Sequence, residues 1–225
     1  LPESVAIVGM QKASSAGKPL PELVTAFQKA GGLKPMAQQL SSEEMAALVG
    51  KIRNKGHASR GEAIYRRETL QCIACHAIGH IGGKVGPDLV SIGASAPVDY
   101  LIESLLLPHK KIKEGYHTNL ITLGSGETIA GGISKETDAE LFVRNALGDI
   151  QPIRKAEIVS RQVSPLSLMP AGLTLSLRED EFVDLIRFLS ELGKEGPFKT
   201  RPTSHVRAWN ALLPHERVRD DIGHY

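Results

Sequence analysis

A chain of 225 residues, 41% of them hydrophobic, is long enough to bury the core of one large domain or two small ones. A net charge of +2 gives no electrostatic footprint for nucleic acid, and no run of about 18 apolar residues could span a membrane. Because only 4% of the residues are aromatic, we expect a core of aliphatic side chains, or one partly filled by a bound group.

Residues 1–57 have the pattern of an accessory helical region. An apolar stretch from Leu23 to Phe27 stops at Gly31, next to a second glycine, which is typical of a helix end. Ser41 and Glu44 then have the spacing of a capping box and predict the start of another helix. The N-terminus lacks a basic segment followed by an apolar run, so we expect no signal peptide within this chain.

A third helix is predicted from a capping-box pattern at Ser59 and Glu62 to about Glu68. It contains Gly61 one turn before Tyr65. A glycine inside a helix costs about 1 kcal/mol relative to alanine. The usual reason for such a glycine is the close approach of another helix.

The motif Cys72-Ile-Ala-Cys75-His76 follows and contains both cysteines of the chain. Two cysteines three positions apart with a histidine directly after them form the attachment pattern of a c-type haem. Each thiol can add to one haem vinyl group as a thioether, and this spacing lets both reach one edge of the ring. His76 is then the proximal axial ligand of the iron.

Three other interpretations of the motif stay open at this point. A thioredoxin-like redox pair would sit at the end of a strand in a βαβ pattern, which is not visible here. A zinc site needs four ligands and would have to recruit distant histidines. The third alternative is chance, since any such cysteine pair can be followed by histidine.

The sequence around the motif resembles class I cytochrome c. The resemblance is carried by Gly61-x-x-x-Tyr65, by the haem motif and by Gly86-Pro87-x-Leu89 in the loop after it. It implies a mainly α cytochrome c fold in which the carbonyl of Pro87 accepts a hydrogen bond from Nδ1–H of His76. Such a bond fixes the ring orientation and raises the basicity of the ligand.

The periodicity changes from helical to extended after a strongly apolar helix predicted over 99–107 and ended by Pro108. Strand–turn–strand patterns predict hairpins over 119–133 and 140–154, and 158–163 reads as a fifth strand. We therefore expect a small antiparallel, barrel-like β module at about 117–164, inserted into the helical haem domain (α+β overall).

Met169 is the candidate for the distal iron ligand, because it precedes a proline in a loop after this insertion. A thioether is a soft neutral donor, and His/Met ligation raises the reduction potential. His109 and His117 are the rival ligands, whereas His80 is close to the motif in sequence and unsuited to the opposite face. The other methionines are expected in the core of the accessory region: Met10, Met36 and Met45.

The last predicted helix starts from a capping-box pattern at Ser176 and Glu179 and ends at Gly193. The resemblance to class I cytochromes implies that this helix crosses the first haem-domain helix near a glycine, with Gly61 and Tyr65 against Phe188. The tail from residue 196 is polar and contains the only tryptophan, Trp209.

The order of the motifs, ending in Ser167-Leu-Met169-Pro-x-Gly172, resembles a narrower group. This group comprises the haem-binding domains of large secreted proteins of planctomycete and verrucomicrobial type. The resemblance covers roughly residues 58–195. We therefore divide the chain into an accessory region (1–57), a cytochrome c domain (58–195) and a C-terminal tail (196–225).

These features predict an electron carrier rather than an enzyme: one covalently attached haem c, with His76 and Met169 as axial ligands, in one-electron transfer. We expect a redox partner protein such as a dehydrogenase, fused or separate. We also expect an extracytoplasmic (periplasmic) location, where c-type haem is normally attached. The alternatives are a haem-based gas sensor or peroxidase-like enzyme with a labile sixth ligand, or a binding role for the β module.

Overall fold

The computed structural model describes residues 1–15, 20–32 and 39–200. Within them the chain forms an N-terminal helical region, a helical unit around the haem motif and a separate antiparallel sheet. The helices are α1 Glu3–Ser15, α2 Pro21–Ala30, α3 Ser42–Lys55, α4 Ala58–Tyr65, α5 Cys72–Cys75, α6 Ile92–Ser95, α7 Val98–Leu106 and α8 Glu179–Glu191. The strands are β1 His76–Ile78, β2 Ile81–Lys84, β3 His117–Leu123, β4 Thr128–Glu136, β5 Glu140–Arg144, β6 Ile150–Arg154 and β7 Ile158–Ser167.

Helix α8 is the centre of the helical core. Its apolar residues recur at helical spacing, and α3, α4, α6 and α7 all pack against it. Phe182 and Ile186 are fully buried there. The last helix therefore packs against α3 and α4, although more than a hundred residues separate it from them in sequence.

The crossing of α4 and α8 confirms the expectation for Gly61. A β-carbon built on Gly61 would lie 2.0 Å from the carbonyl oxygen of Asp184 and 2.7 Å from Cβ of Phe188. The rings of Tyr65 and Phe188 have centroids 5.7 Å apart. Only a residue without a side chain lets the two backbones approach this closely.

A buried carboxylate fixes the same crossing. Asp184 accepts the backbone N–H of His57 at 2.7 Å and Nε of Arg60 at 2.6 Å. Its side chain is 4% exposed, so these donors replace water around the charge. This contact ties the junction between α3 and α4 to α8.

The β module is a five-stranded antiparallel sheet in the order β6-β5-β4-β3-β7. It has its own small core of Ile121, Leu141, Val143 and Ile153. The two predicted hairpins and the fifth strand are confirmed, but β7 continues to Ser167, beyond the predicted end. The sheet is open, with β6 and β7 at its edges, so the barrel-like expectation is wrong.

The predicted mainly α cytochrome c fold is also wrong. In the part of the chain that the structure describes, seven strands accompany eight helices, which is an α+β architecture. The physical reason is that the sheet has a hydrophobic core separate from that of the helices, so it forms a structural layer of its own rather than an appendage.

The sequence patterns predicted the starts of α4 and α8 incorrectly. The capping box at Ser41 and Glu44 is formed, with both reciprocal hydrogen bonds. At α4, by contrast, the helix begins at Ala58 without a side-chain cap and ends at Tyr65, before a 3₁₀ turn at Glu68–Leu70. At α8, Ser176 lies in a 3₁₀ turn, and Glu181 accepts the backbone N–H of Arg178 instead.

The described part of the accessory region is helical, as expected, and α2 ends before Gly31. Met10 is fully buried and Met45 packs against the helical core, whereas Met36 lies outside the described residues. Trp209 and the rest of the tail after residue 200 also lie outside them. Among the helices that the structure describes, none is both long enough and apolar enough to cross a membrane.

Candidate functional site

The haem motif occupies a single helical turn and the start of a short hairpin. Cys72 and Cys75 are the first and last residues of α5, and His76 begins β1. Neither cysteine is in a disulfide. The two cysteines therefore lie within one helical turn, and His76 follows directly after it.

The imidazole of His76 is held by the loop that follows β2. Nδ1 of His76 lies 2.8 Å from the carbonyl oxygen of Pro87. Because a carbonyl can only accept, Nδ1 carries the proton, and Nε2 of the neutral ring keeps a free lone pair. The hydrogen bond that the resemblance implied for Pro87 is therefore present.

Gly86 packs closely against the same ring. A β-carbon built there would be 2.3 Å from Cε1 and 2.8 Å from Nε2 of His76. The backbone carbonyl of His76 accepts the hydroxyl of Tyr65 at 2.7 Å. The ring and the backbone of the histidine are thus both fixed, by residues on opposite sides of it in sequence.

The loop itself is anchored by backbone bonds and by Asp88. Gly86 donates its N–H to the carbonyl of Cys75 at 2.9 Å, and Leu89 donates to Ala77 at 2.8 Å. The carboxylate of Asp88 accepts the backbone N–H groups of Gly79, His80 and Val90. Burial raises the pKa of Asp88, but these three donors outweigh it, so the pKa lies below its ordinary value.

The electrostatics of the motif do not suit a redox dithiol. Burial raises the pKa of Cys72 to about 11 and also raises the pKa of Cys75. Reactive thiols need the opposite shift, because the thiolate is the nucleophile. The segment directly before Cys72 is a 3₁₀ turn and not a strand. Burial lowers the pKa of His76 and outweighs the opposite effect of its hydrogen bond to Pro87. The lowered pKa favours the neutral ring that metal binding requires.

The chain leaves the helical unit before β3 and re-enters it after β7, at neighbouring positions. His117 at the start of β3 pairs with Ser167 at the end of β7. Ser167 donates its N–H to Nδ1 of His109 at 3.1 Å, and its hydroxyl accepts the N–H of Met169 at 3.1 Å. The loop carrying Met169 is therefore fixed beside the end of α7.

Met169 and Cys72 pack against the same hydrophobic core, although 97 positions separate them (169 − 72). Both side chains are half-buried. The structure thus brings the Met169 loop and the motif to one helical unit. The assignment of Met169 as iron ligand stays a prediction.

The three rival histidines lie in different surroundings. Nδ1 of His109 accepts the N–H of Ser167, so the proton of its neutral ring is on Nε2, the opposite of His76. His117 pairs with Ser167 in the β3–β7 ladder, and the side chain of His80 is 98% exposed in a turn.

A cleft of about 560 Å³ adjoins the Met169 loop. Its lining includes Ala171 of that loop, His109, and Leu106 at the end of α7, but none of the motif residues. Gln39, which also lines it, borders residues that the structure does not describe. We therefore assign no ligand to this cleft.

The chemistry of the donor set fits a covalently attached haem. Two thiols and one imidazole with a free Nε2 stand within five residues, and the thioether of Met169 packs against the same core. Within the described residues, no three or more His, Cys, Asp or Glu side chains are grouped to hold a metal ion. A haem iron does not need such a group, because the porphyrin supplies four of its ligands, whereas a zinc site does.

Sequence reasoning found the motif, Pro87 and Gly61, but missed the roles of Asp88 and of the Tyr65 hydroxyl. Tyr65 was expected only as a packing aromatic. The signal for Asp88 was its position directly after Gly86-Pro87, where a short carboxylate side chain can accept nearby backbone N–H groups.

A scan of the chain against models of known protein families finds no match, and a search of curated protein sequences finds none either. The functional argument therefore depends on the site itself.

Proposed function

We propose that the protein is a c-type cytochrome that carries one haem attached to Cys72 and Cys75 and transfers single electrons. His76 and Met169 are its axial ligands in this proposal. The observation that carries it is the 2.8 Å contact between Nδ1 of His76 and the Pro87 carbonyl, next to two free thiols. This contact leaves Nε2 available for iron.

When bound, the haem supplies a one-electron couple between ferric and ferrous iron. The residues of the chain bind and orient it. The two thiols hold it by thioether bonds, Pro87 fixes the tautomer of His76, and Gly86 sets the plane of the imidazole. The half-buried surroundings of the motif limit the access of water, which adjusts the reduction potential.

The thioether of Met169 is the reason for proposing electron transfer. With both axial positions filled by protein, no site remains for a substrate, and so we propose a carrier rather than an enzyme. The resemblance to class I cytochromes enters this proposal through the motif, the proximal loop and the α4–α8 crossing. We propose a redox partner protein and an extracytoplasmic location on the same ground.

Covalent haem attachment tests the proposal most simply. The full chain is expressed in a host that matures c-type cytochromes, and its mass is measured after denaturation. We expect one added haem, and we expect it to be lost from the double variant Cys72→Ser/Cys75→Ser. Ser91→Ala, a change in the same helical unit away from the thiols, is the control and should keep the haem. A wild-type chain without covalent haem would refute the proposal.

A further inference from the structure

The β module touches the haem-motif hairpin at the end of β2. Nη1 of Arg144, on β5, donates a hydrogen bond to the backbone carbonyl of Lys84. In the turn after β5, a β-carbon built on Gly148 would lie 3.6 Å from Cγ2 of Val85, which is ordinary van der Waals contact. Lys84 is thus hydrogen-bonded to the sheet, and Val85 lies next to the turn after β5.

These two residues lead directly to the groups that hold the histidine. Lys84 is the register partner of His76 in the β1–β2 ladder. The chain then continues through Val85 to Gly86, which lies against the imidazole, and Pro87, which accepts its Nδ1–H. The position of the Lys84 carbonyl therefore sets where this loop begins.

The β1–β2 ladder is weak at the pair that includes Lys84. A two-stranded hairpin is marginally stable in isolation, most of β2 is exposed, and the register shifts between His76 and Ala77. The bonds of Asp88 and of the Gly86 and Leu89 N–H groups hold the loop further along the chain, whereas the hydrogen bond from Arg144 holds its start at Lys84.

We infer that Arg144 is a positioning residue for His76, and that the β module braces the proximal loop through it. The guanidinium fixes the Lys84 carbonyl, and this holds the Pro87 carbonyl at hydrogen-bonding distance from Nδ1. The inference gives the β module a role in the haem site. It rests on the proposed function only where a haem property is measured.

The first test measures the loop in the full chain as purified. The variants are Arg144→Ala, Arg144→Lys and, as a control, Arg154→Ala, since Arg154 is an arginine of the neighbouring strand β6 that pairs with Glu157 inside the module. Hydrogen exchange of the Gly86 amide and the NMR signal of the His76 Nδ1 proton are recorded. For Arg144→Ala we expect exchange about 2- to 10-fold faster, the range that the net free energy of one hydrogen bond converts to.

The second test measures the reduction potential of the haem-loaded protein. A weaker bond to Nδ1 makes the imidazole a poorer donor to ferric iron, so Arg144→Ala should raise the potential. Arg144→Lys, which keeps a cationic donor, should restore part of the wild-type value, and Arg154→Ala should leave it unchanged.

The inference is overturned if Arg144→Ala keeps wild-type exchange at Gly86 and an unchanged His76 signal, or if Arg154→Ala produces the same changes. Should Arg144→Ala fail to fold, Arg144→Met, which keeps the length of the side chain but has no donor, replaces it in the comparison with Arg154→Ala. A wild-type chain that attaches no haem would refute the proposed function alone, because the exchange measurement would still decide whether Arg144 braces the loop.

Discussion

Two helical glycines give opposite predictions for the same substitution. Gly50 lies inside α3 and Gly61 inside α4. In each case a change to alanine removes a helix-propensity penalty of about 1 kcal/mol. A β-carbon on Gly50 would have nothing within 4 Å, so Gly50→Ala should stabilise the protein by up to about 1 kcal/mol.

At Gly61 the added carbon meets backbone. It would lie 2.0 Å from the Asp184 carbonyl oxygen and 2.6 Å from its carbonyl carbon, and neither atom can rotate away. Overpacking of this kind costs about 1–3 kcal/mol, and a contact with backbone belongs at the upper end. After subtraction of the propensity gain, Gly61→Ala should destabilise by about 2 kcal/mol.

Urea unfolding followed by circular dichroism measures both variants against wild type. We expect the midpoint to rise for Gly50→Ala and to fall for Gly61→Ala, with an unchanged slope. If both substitutions moved the midpoint in the same direction, the close crossing of α4 and α8 would not be the reason for the glycine.

Three further predictions concern the site and its surroundings. Met169→Ala should lower the reduction potential and open the haem to carbon monoxide. Met45→Ala, which also removes a half-buried methionine of the helical unit, should do neither. An unchanged potential in Met169→Ala would contradict the ligand assignment. Gly86→Ala should displace the His76 ring, because the new carbon would lie 2.3 Å from Cε1, and the absorption spectrum of the haem should change; wild-type spectra would argue against this packing. Burial raises the pKa of Glu181, but hydrogen bonds from Arg67 and the Arg178 backbone N–H outweigh it, so the folded pKa lies below the ordinary value. The stability from this carboxylate is therefore present above about pH 4.5 and lost as the pH falls through the folded pKa, and Glu181→Gln should flatten that part of the stability–pH curve.

The donor groups of the candidate site could be located from the sequence because they lie close together in the chain. Cys72, Cys75 and His76 lie within five consecutive residues. The hydrogen bond of Pro87 was implied by the resemblance to class I cytochrome c, and the structure contains it. Gly61 could be interpreted as well, because a helical glycine needs a neighbour, and the resemblance identified that neighbour as the last helix.

The parts that could not be predicted depend on distant contacts. The sequence patterns located the strands, but they contained no information on whether the sheet closes, and the open order β6-β5-β4-β3-β7 became visible only in the structure. Likewise, Ser59 has the residue type and spacing of a cap, yet His57 is the N-cap residue of α4, and its backbone N–H is bound by Asp184. Contacts across the fold overrode a local preference there. The bond from Arg144 to Lys84 has no sequence signal at all.

The most direct test of the account is an absorption spectrum of the purified full chain, oxidised and reduced, with and without carbon monoxide. The account predicts a low-spin c-type spectrum, a methionine–iron charge-transfer band and no response to carbon monoxide. A high-spin spectrum or ready binding of carbon monoxide would contradict the electron carrier with His76 and Met169 as ligands and would favour a sensor or peroxidase-like enzyme. A chain without haem, from a host able to attach it, would contradict the whole interpretation of the motif at Cys72.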